Sequence, residues 1–208
     1  MRLPIRITPV MTYPPFFEQA YRLSITNHLI GLPFEDRYLR FCTALKDEAI
    51  ENYVSKIDFE KDGVFAIFDE KSAEYWHKPI IGFLHAPPFE DQKEIEFGIS
   101  VSPSRRNEGI ASSLFKNALV FAQSRGYKII YMNCLYENKV MRHIVSKHGF
   151  DIESDFEEVT ARLKIDSSHV IENTFLDITN NNFAIFDLAY RSKIHQAKEW
   201  LSLFSSTK

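Results

Sequence analysis

The stretch from Glu94 to Leu135 constrains the fold more than any other part of the chain, because its hydrophobic period changes twice. Side chains alternate through Glu94 to Val101, with Ile95, Phe97, Ile99 and Val101 on one face and Glu94, Glu96, Gly98 and Ser100 on the other. After Pro103 the apolar residues Ala111, Leu114, Phe115, Ala118, Leu119 and Ala122 recur at helical spacing, up to a C-terminal cap at Gly126. Lys128 to Leu135 is again β-rich, dominated by Ile129, Ile130, Tyr131 and Met132. A strand, loop, helix and strand in this order form a crossover whose two strands should be parallel neighbours. An α/β (α+β) fold follows, with a mixed central sheet built around a parallel βαβ unit and flanked by helices.

The rest of the chain is read against that unit. Phe17, Ala20, Tyr21, Ser24, His28 and Leu29 recur at helical spacing before Gly31, and Ala44 to Tyr53 carries a second such pattern, so the first sixty or so residues form a helical layer. Gly63 to Phe68, Pro79 to His85 and Glu94 to Val101 read as consecutive strands, antiparallel because their connections are too short for a crossover helix. Asn138 to His148 reads as a short helix between an N-capping residue and Gly149, and Glu157 to Ile165 as a closing strand. Residues 1–165 make one domain. Residues 166–208 form a helical extension, with Phe183, Phe186, Tyr190, Ile194, Ala197, Leu201 and Phe204 on one stripe. It packs on its own domain, dimerises, or flaps over the site.

Composition removes several functions. A net charge of −3 gives no broad basic field for nucleic acid. No apolar run is long enough for a membrane span, and the proline-interrupted start makes a poor signal peptide, so the expected compartment is the cytoplasm. Cys42 and Cys134 are far apart in sequence and read as buried thiols. His143 and His148 are five residues apart, which does not put two metal ligands on one helical face, and no metal is expected. His28 and His85 have no partner recognisable in sequence, and Trp76 and Trp200 read as packing residues.

Chemistry concentrates at Arg105-Arg106-Asn107-Glu108-Gly109-Ile110-Ala111, between the first strand of the βαβ unit and its helix. Unpaired amides at a helix N-terminus, together with the helix dipole, attract an anion such as a phosphate. Gly109 allows close backbone approach, Ala111 keeps the first turn small, and the two arginines add positive charge.

With the preceding Val101-Ser-Pro103, with Asn138-Lys-Val-Met141 and with Lys147-His-Gly149-Phe150, this segment resembles the GNAT acetyltransferase superfamily. Matching positions are Val101, Pro103, Arg106, Gly109, Ala111, Asn138, Gly149 and Phe150, and the likeness runs from about Gly63 to Ile165. Asp36-Arg37-Tyr-Leu-Arg40-Phe41 further resembles a segment of a bacterial branch of that family. The resemblance implies the acyl-CoA N-acyltransferase fold and acetyl-CoA as cosubstrate. It implies that the amides of Asn107, Glu108, Gly109, Ile110 and Ala111, followed by Ser112 and flanked by Arg106, hold the pyrophosphate. The main chain of Ile99, Ser100 and Val101 would pair with the pantetheine arm, and Asn138 would face it from the other side.

Transfer to an amine needs a base and an oxyanion donor. Glu96 is the expected base by position and by its polar strand face; Glu94 is the second choice, and an ordinary rim charge is the plain alternative for both. A main-chain amide near Ile99 would donate to the oxyanion. Where many relatives carry a tyrosine acid this chain has Val145, and Tyr136, Tyr131 or Cys134 stand nearby as substitutes or as simple packing residues. The expected partners are CoA and a small amine or protein lysine. A catalytically silent acyl-CoA sensor and a purely structural protein dimerising through its last helix are the rival readings.

Overall fold

In the computed structural model, residues 8–9, 18–69, 79–89, 93–155 and 157–165 are described. Phe17, Trp76, Trp200 and the expected C-terminal helix with its dimer or flap role lie outside them. Strand β1 (Thr8–Pro9) precedes helices α1 (Glu18–Ile30), α2 (Phe34–Phe41) and α3 (Asp47–Ser55). Strands β2 (Gly63–Phe68), β3 (Ile80–Ala86), β4 (Glu94–Glu96) and β5 (Gly98–Val101) follow, and then a single 3-10 turn, Pro103–Arg105. Helix α4 (Ile110–Ser124), β6 (Ile129–Leu135), α5 (Lys139–Lys147), β7 (Asp151–Ser154) and β8 (Glu158–Lys164) complete the described chain.

The strand expected from Glu94 to Val101 is divided at Phe97. Its first half, β4, pairs parallel with β6 in the order β4-β6-β8-β7; its second half, β5, pairs antiparallel with β3 in the order β1-β2-β3-β5. The Phe97 amide still donates to the Tyr131 carbonyl at 2.8 Å, whereas Gly98 is already paired with His85. Beyond Phe97 the chain has exchanged neighbours, and β5 and β6 diverge into a cleft. The parallel βαβ relationship therefore holds for β4 and β6, and the antiparallel one for β2, β3 and β5.

Alternation explains the layering. Phe65 and Ile67 of β2 join Ile95, Phe97, Ile99, Leu114, Phe115 and Ile130 in one core cluster, on the α4 side of the sheet. Val64 and Ala66 face the other way, into a cluster with Ile25 and Leu29 of α1 and Ile50 and Val54 of α3. A helix therefore covers each face, as a half-apolar sheet requires. Burying each of Phe83, Phe97 and Phe115, all almost wholly enclosed, contributes about 1.5–3 kcal/mol.

The N-terminal layer is pinned to the sheet by polar contacts as well. His28 of α1 bonds through Nδ1 to the Ile80 carbonyl at 2.9 Å and through Nε2 to Ser100 Oγ at 2.9 Å, so it bridges β3 and β5. Arg22 reaches the Ile57 carbonyl beyond α3 at 2.8 Å. Left-handed Gly126 and Gly149 stand just beyond α4 and α5, and Asn138 caps α5 by accepting the Met141 amide at 3.0 Å.

Candidate active site

The loop between β5 and α4 is shaped by two left-handed residues, Asn107 with φ 62° and Gly109 with φ 83°. Gly109 is the N-cap of α4, and no side chain caps that helix end. Its first amides are directed out of the helix without an intrahelical acceptor, which leaves a site suited to an anion.

An open cavity of about 300 Å³ lies in front of these amides. It is lined by Ile99, Ser100 and Val101 of β5, by Arg106, Asn107, Gly109, Ile110, Ala111 and Ser112, and by Asn138, Val140, Met141 and Ile144 from the other side. Of the residues expected to hold the cofactor, Glu108 alone is not part of this lining. Its carboxylate is turned to Arg105 Nε at 3.0 Å, and Arg105 also donates to Asp69 at 2.9 Å. These carboxylates, Glu108 foremost, hold the Arg105 guanidinium firmly in its charged form. Arg106 is ion-paired with Asp36 of α2, which lines the same cavity. Both arginines line the cavity, but neither brings an unshared positive charge: Arg105 is held by Glu108 and Asp69, and Arg106 by Asp36. Asn138 is buried with its amide nitrogen toward the Leu39 carbonyl at 3.4 Å, so it ties α5 to α2.

A second cavity of about 210 Å³ adjoins the first across the β4–β5 break. Glu96 lines it with Tyr53, His85, Cys42 and Asn133; Leu39, Arg40, Ile99 and Met141 belong to both cavities. Asn133 of β6 donates to Glu96 Oε1 at 3.2 Å, across the mouth of the cleft. Glu94, the second choice for the base, lines neither cavity.

Tyr131, Tyr136 and Cys134, the substitutes for a missing acid, line neither cavity either. Tyr131 packs edge-on against Phe89; Tyr136 is exposed under Arg142. Cys134 is buried, and burial pushes its thiol up to about 11. Val145 is fully enclosed in the main core. His143 is exposed, and His148 stacks on Phe115 at 4.2 Å between ring centres. Among the described residues no group of three or more His, Cys, Asp or Glu could hold a metal ion.

Sequence reasoning left the histidines unpaired, and here the structure adds most. The Tyr53 hydroxyl lies 2.6 Å from His85 Nδ1, and His85 Nε2 lies 2.8 Å from Asp62 Oδ2. A carboxylate only accepts, so Nε2 carries the hydrogen and donates it to Asp62, and the neutral imidazole accepts a hydrogen bond from the tyrosine hydroxyl at Nδ1. Burial lowers the His85 pKa against the opposing pull of Asp62, and burial raises that of Tyr53. Arg40 Nη2 donates to the Tyr53 oxygen at 3.3 Å.

A sheet that opens beside a parallel βαβ unit, with an uncapped helix end at the mouth of the opening, defines the acyl-CoA N-acyltransferase class of fold. The model of the acetyltransferase (GNAT) family matches residues 29–150, and the chain belongs to that family. Solved structures share the fold. The GNAT domain of S. lividans PAT is 18% identical with a TM-score of 0.57, over 76% of this chain and 89% of that one. An N-acetyltransferase from Staphylococcus aureus Mu50 is 16% identical with a TM-score of 0.56, over 79% and 100%. The PaiA N-acetyltransferase from Thermoplasma acidophilum, in complex with coenzyme A, is 14% identical with a TM-score of 0.52, over 78% and 100%. No curated protein is significantly similar to this chain.

Proposed function

We propose that this protein transfers the acetyl group of acetyl-CoA to a primary amine, with Glu96 as general base. The observation that carries this reading is the adjacency of the two cavities across the β4–β5 break: one faces the uncapped α4 N-terminus, and the other holds Glu96. The left-handed turn and the open amides suit the pyrophosphate of CoA, with Arg106 at its edge. The diverging β5 edge suits the pantetheine arm, laid along Ile99 to Val101. Acetyl-CoA supplies the activated acyl group. Glu96, steadied by Asn133, takes the proton that an ammonium acceptor must lose before its nitrogen can attack. A main-chain amide near Ile99 stabilises the oxyanion. The acceptor is a small amine or a protein lysine, and the proposed compartment is the cytoplasm.

A thermal-shift titration tests the cofactor site: millimolar CoA or acetyl-CoA should raise the melting temperature. Thiol release from acetyl-CoA across a panel of amines and lysine peptides then tests transfer. Glu96→Gln should slow it by about a hundredfold or more, and full activity in that variant would remove the assignment. The burial of Val145 away from both cavities favours one alternative, a silent acyl-CoA sensor, which predicts tight binding and no turnover with any acceptor.

A further inference from the structure

Tyr53, His85 and Asp62 form a hydrogen-bonded chain that the reading above leaves without a task, and this inference rests on that reading. We propose that Tyr53 is a second catalytic residue, which carries a proton from the attacking nitrogen to the leaving sulfur, with His85 and Asp62 as positioning residues that hold the proton between the two steps.

Geometry supports the assignment in three ways. First, the chain runs from the interior into the site: Asp62 is buried outside both cavities, while His85 and Tyr53 line the cavity that contains Glu96. Second, both outer members are anchored. Asp62 Oδ2 also accepts the Asp58 amide at 2.9 Å, and Phe41 packs edge-on against the Tyr53 ring at 5.3 Å between centres. Third, Arg40, which lines both cavities, donates to the Tyr53 oxygen, so that oxygen is tied to a side chain shared by the two cavities. No residue expected to serve as the acid lines either cavity.

The proton count leaves room for two groups. An ammonium acceptor loses two protons in becoming an amide. Glu96 takes the one lost before attack. After the nitrogen bonds to the acetyl carbon, it still holds a proton in excess, which passes to Tyr53 Oη as the hydroxyl's own proton moves to His85 Nδ1. The imidazolium so formed is paired with Asp62. When the C–S bond breaks, its electron pair goes to sulfur, the Tyr53 hydroxyl protonates that sulfur, and His85 returns its proton to Oη. Nothing is oxidised or reduced, and the relay ends as it began. Burial keeps the free His85 imidazole neutral, ready to accept and quick to give back.

The test measures thiol release from acetyl-CoA, with the best amine of the panel or with water as acceptor. It compares the unsubstituted protein, Tyr53→Phe, His85→Gln and a series with fluorotyrosines of stepped acidity at position 53. Tyr53→Phe should lower kcat by about a hundredfold, with the KM for acetyl-CoA and the melting temperature little changed. Across the fluorotyrosines, which keep the ring and the hydroxyl, log kcat should follow phenol acidity, as a packing role would not. Should Tyr53→Phe fail to fold, the fluorotyrosine series alone decides. A kcat within about twofold of the unsubstituted protein in Tyr53→Phe, or rates indifferent to phenol acidity, overturns the proposal while Glu96→Gln still slows turnover. If the unsubstituted protein releases no thiol to any acceptor, the transfer reading itself fails, and this inference with it.

Discussion

The guanidinium of Arg40 rests against the bare Cα of Gly98, where any side chain would collide with it. The contact falls at the first residue after the strand break, and the Arg40 Nε is buried there without a hydrogen-bond partner among the described residues. Phe41 supports the same guanidinium at 5.0 Å from its ring centre. Gly98→Ala should therefore displace Arg40 and cost about 1–2 kcal/mol. In an Arg40→Ala background the same substitution should cost less than about 0.5 kcal/mol. A double-mutant cycle by urea unfolding checks this; additive effects would show that the two residues are not coupled.

Gly109 is held at a positive φ with open space around the position a Cβ would take. Gly109→Ala should then cost backbone strain and no clash, about 1 kcal/mol in chemical denaturation. The same variant should bind CoA more weakly by calorimetry, because the relaxed loop no longer presents its amides in one direction. Unchanged stability together with unchanged binding would contradict both expectations.

Asp36 competes for Arg106 inside the proposed phosphate cavity. Asp36→Asn should free the guanidinium and tighten CoA binding by up to about fivefold, in keeping with a partly exposed ion pair. Arg106→Ala should weaken binding and flatten its dependence on salt. Weaker binding in Asp36→Asn would mean instead that the carboxylate positions Arg106 for the ligand.

Burial lowers His28 from its ordinary value of 6.5 to about 4. The folded protein thus favours the neutral imidazole, and the unfolded chain takes up more protons between these two values. Stability from this group is complete above about pH 6.5 and is lost as the pH falls towards 4, an effect of a few kcal/mol. Urea unfolding at pH 7.5, 5.5 and 4.5 should show the decline, and His28→Gln should make the profile shallower. An equally steep profile in His28→Gln would assign the loss to other groups.

The βαβ unit was legible because its period changes coincide with real element boundaries and because Asn138, Gly126 and Gly149 stand at helix ends. What pattern alone could not carry was the break at Phe97. The side chains of Ile95, Phe97, Ile99 and Val101 face one core throughout, so their alternation continues undisturbed while the backbone changes partner. Helix α2 was seen only as a family-like segment, because none of its residues is buried and its stripe of Phe34, Tyr38 and Phe41 spans only two turns. Strand β7 is exposed along its length, and β1 pairs over two residues, so neither produces a period. Most of the expected cofactor residues line one cavity, since they lie within one loop and its two neighbours. Tyr53, His85 and Asp62 come from α3, β3 and the turn before β2, and no local spacing announces a contact made by folding alone.

That separation along the chain has a consequence for how such a protein could be altered. The first cavity draws mostly on residues 99–144, whereas Arg40, Cys42 and Tyr53 of the second belong to the helical layer ahead of β2. Under the proposed function, a graft that replaced residues 34–55 would exchange the recipient of the acetyl group, and it would leave the carrier and the proton relay in place only if it kept Asp36, Leu39, Arg40 and Tyr53. The limit on such grafts is the Arg40 seat on Gly98: an incoming segment must bring a side chain that fills the seam between the two halves, or the halves will not meet.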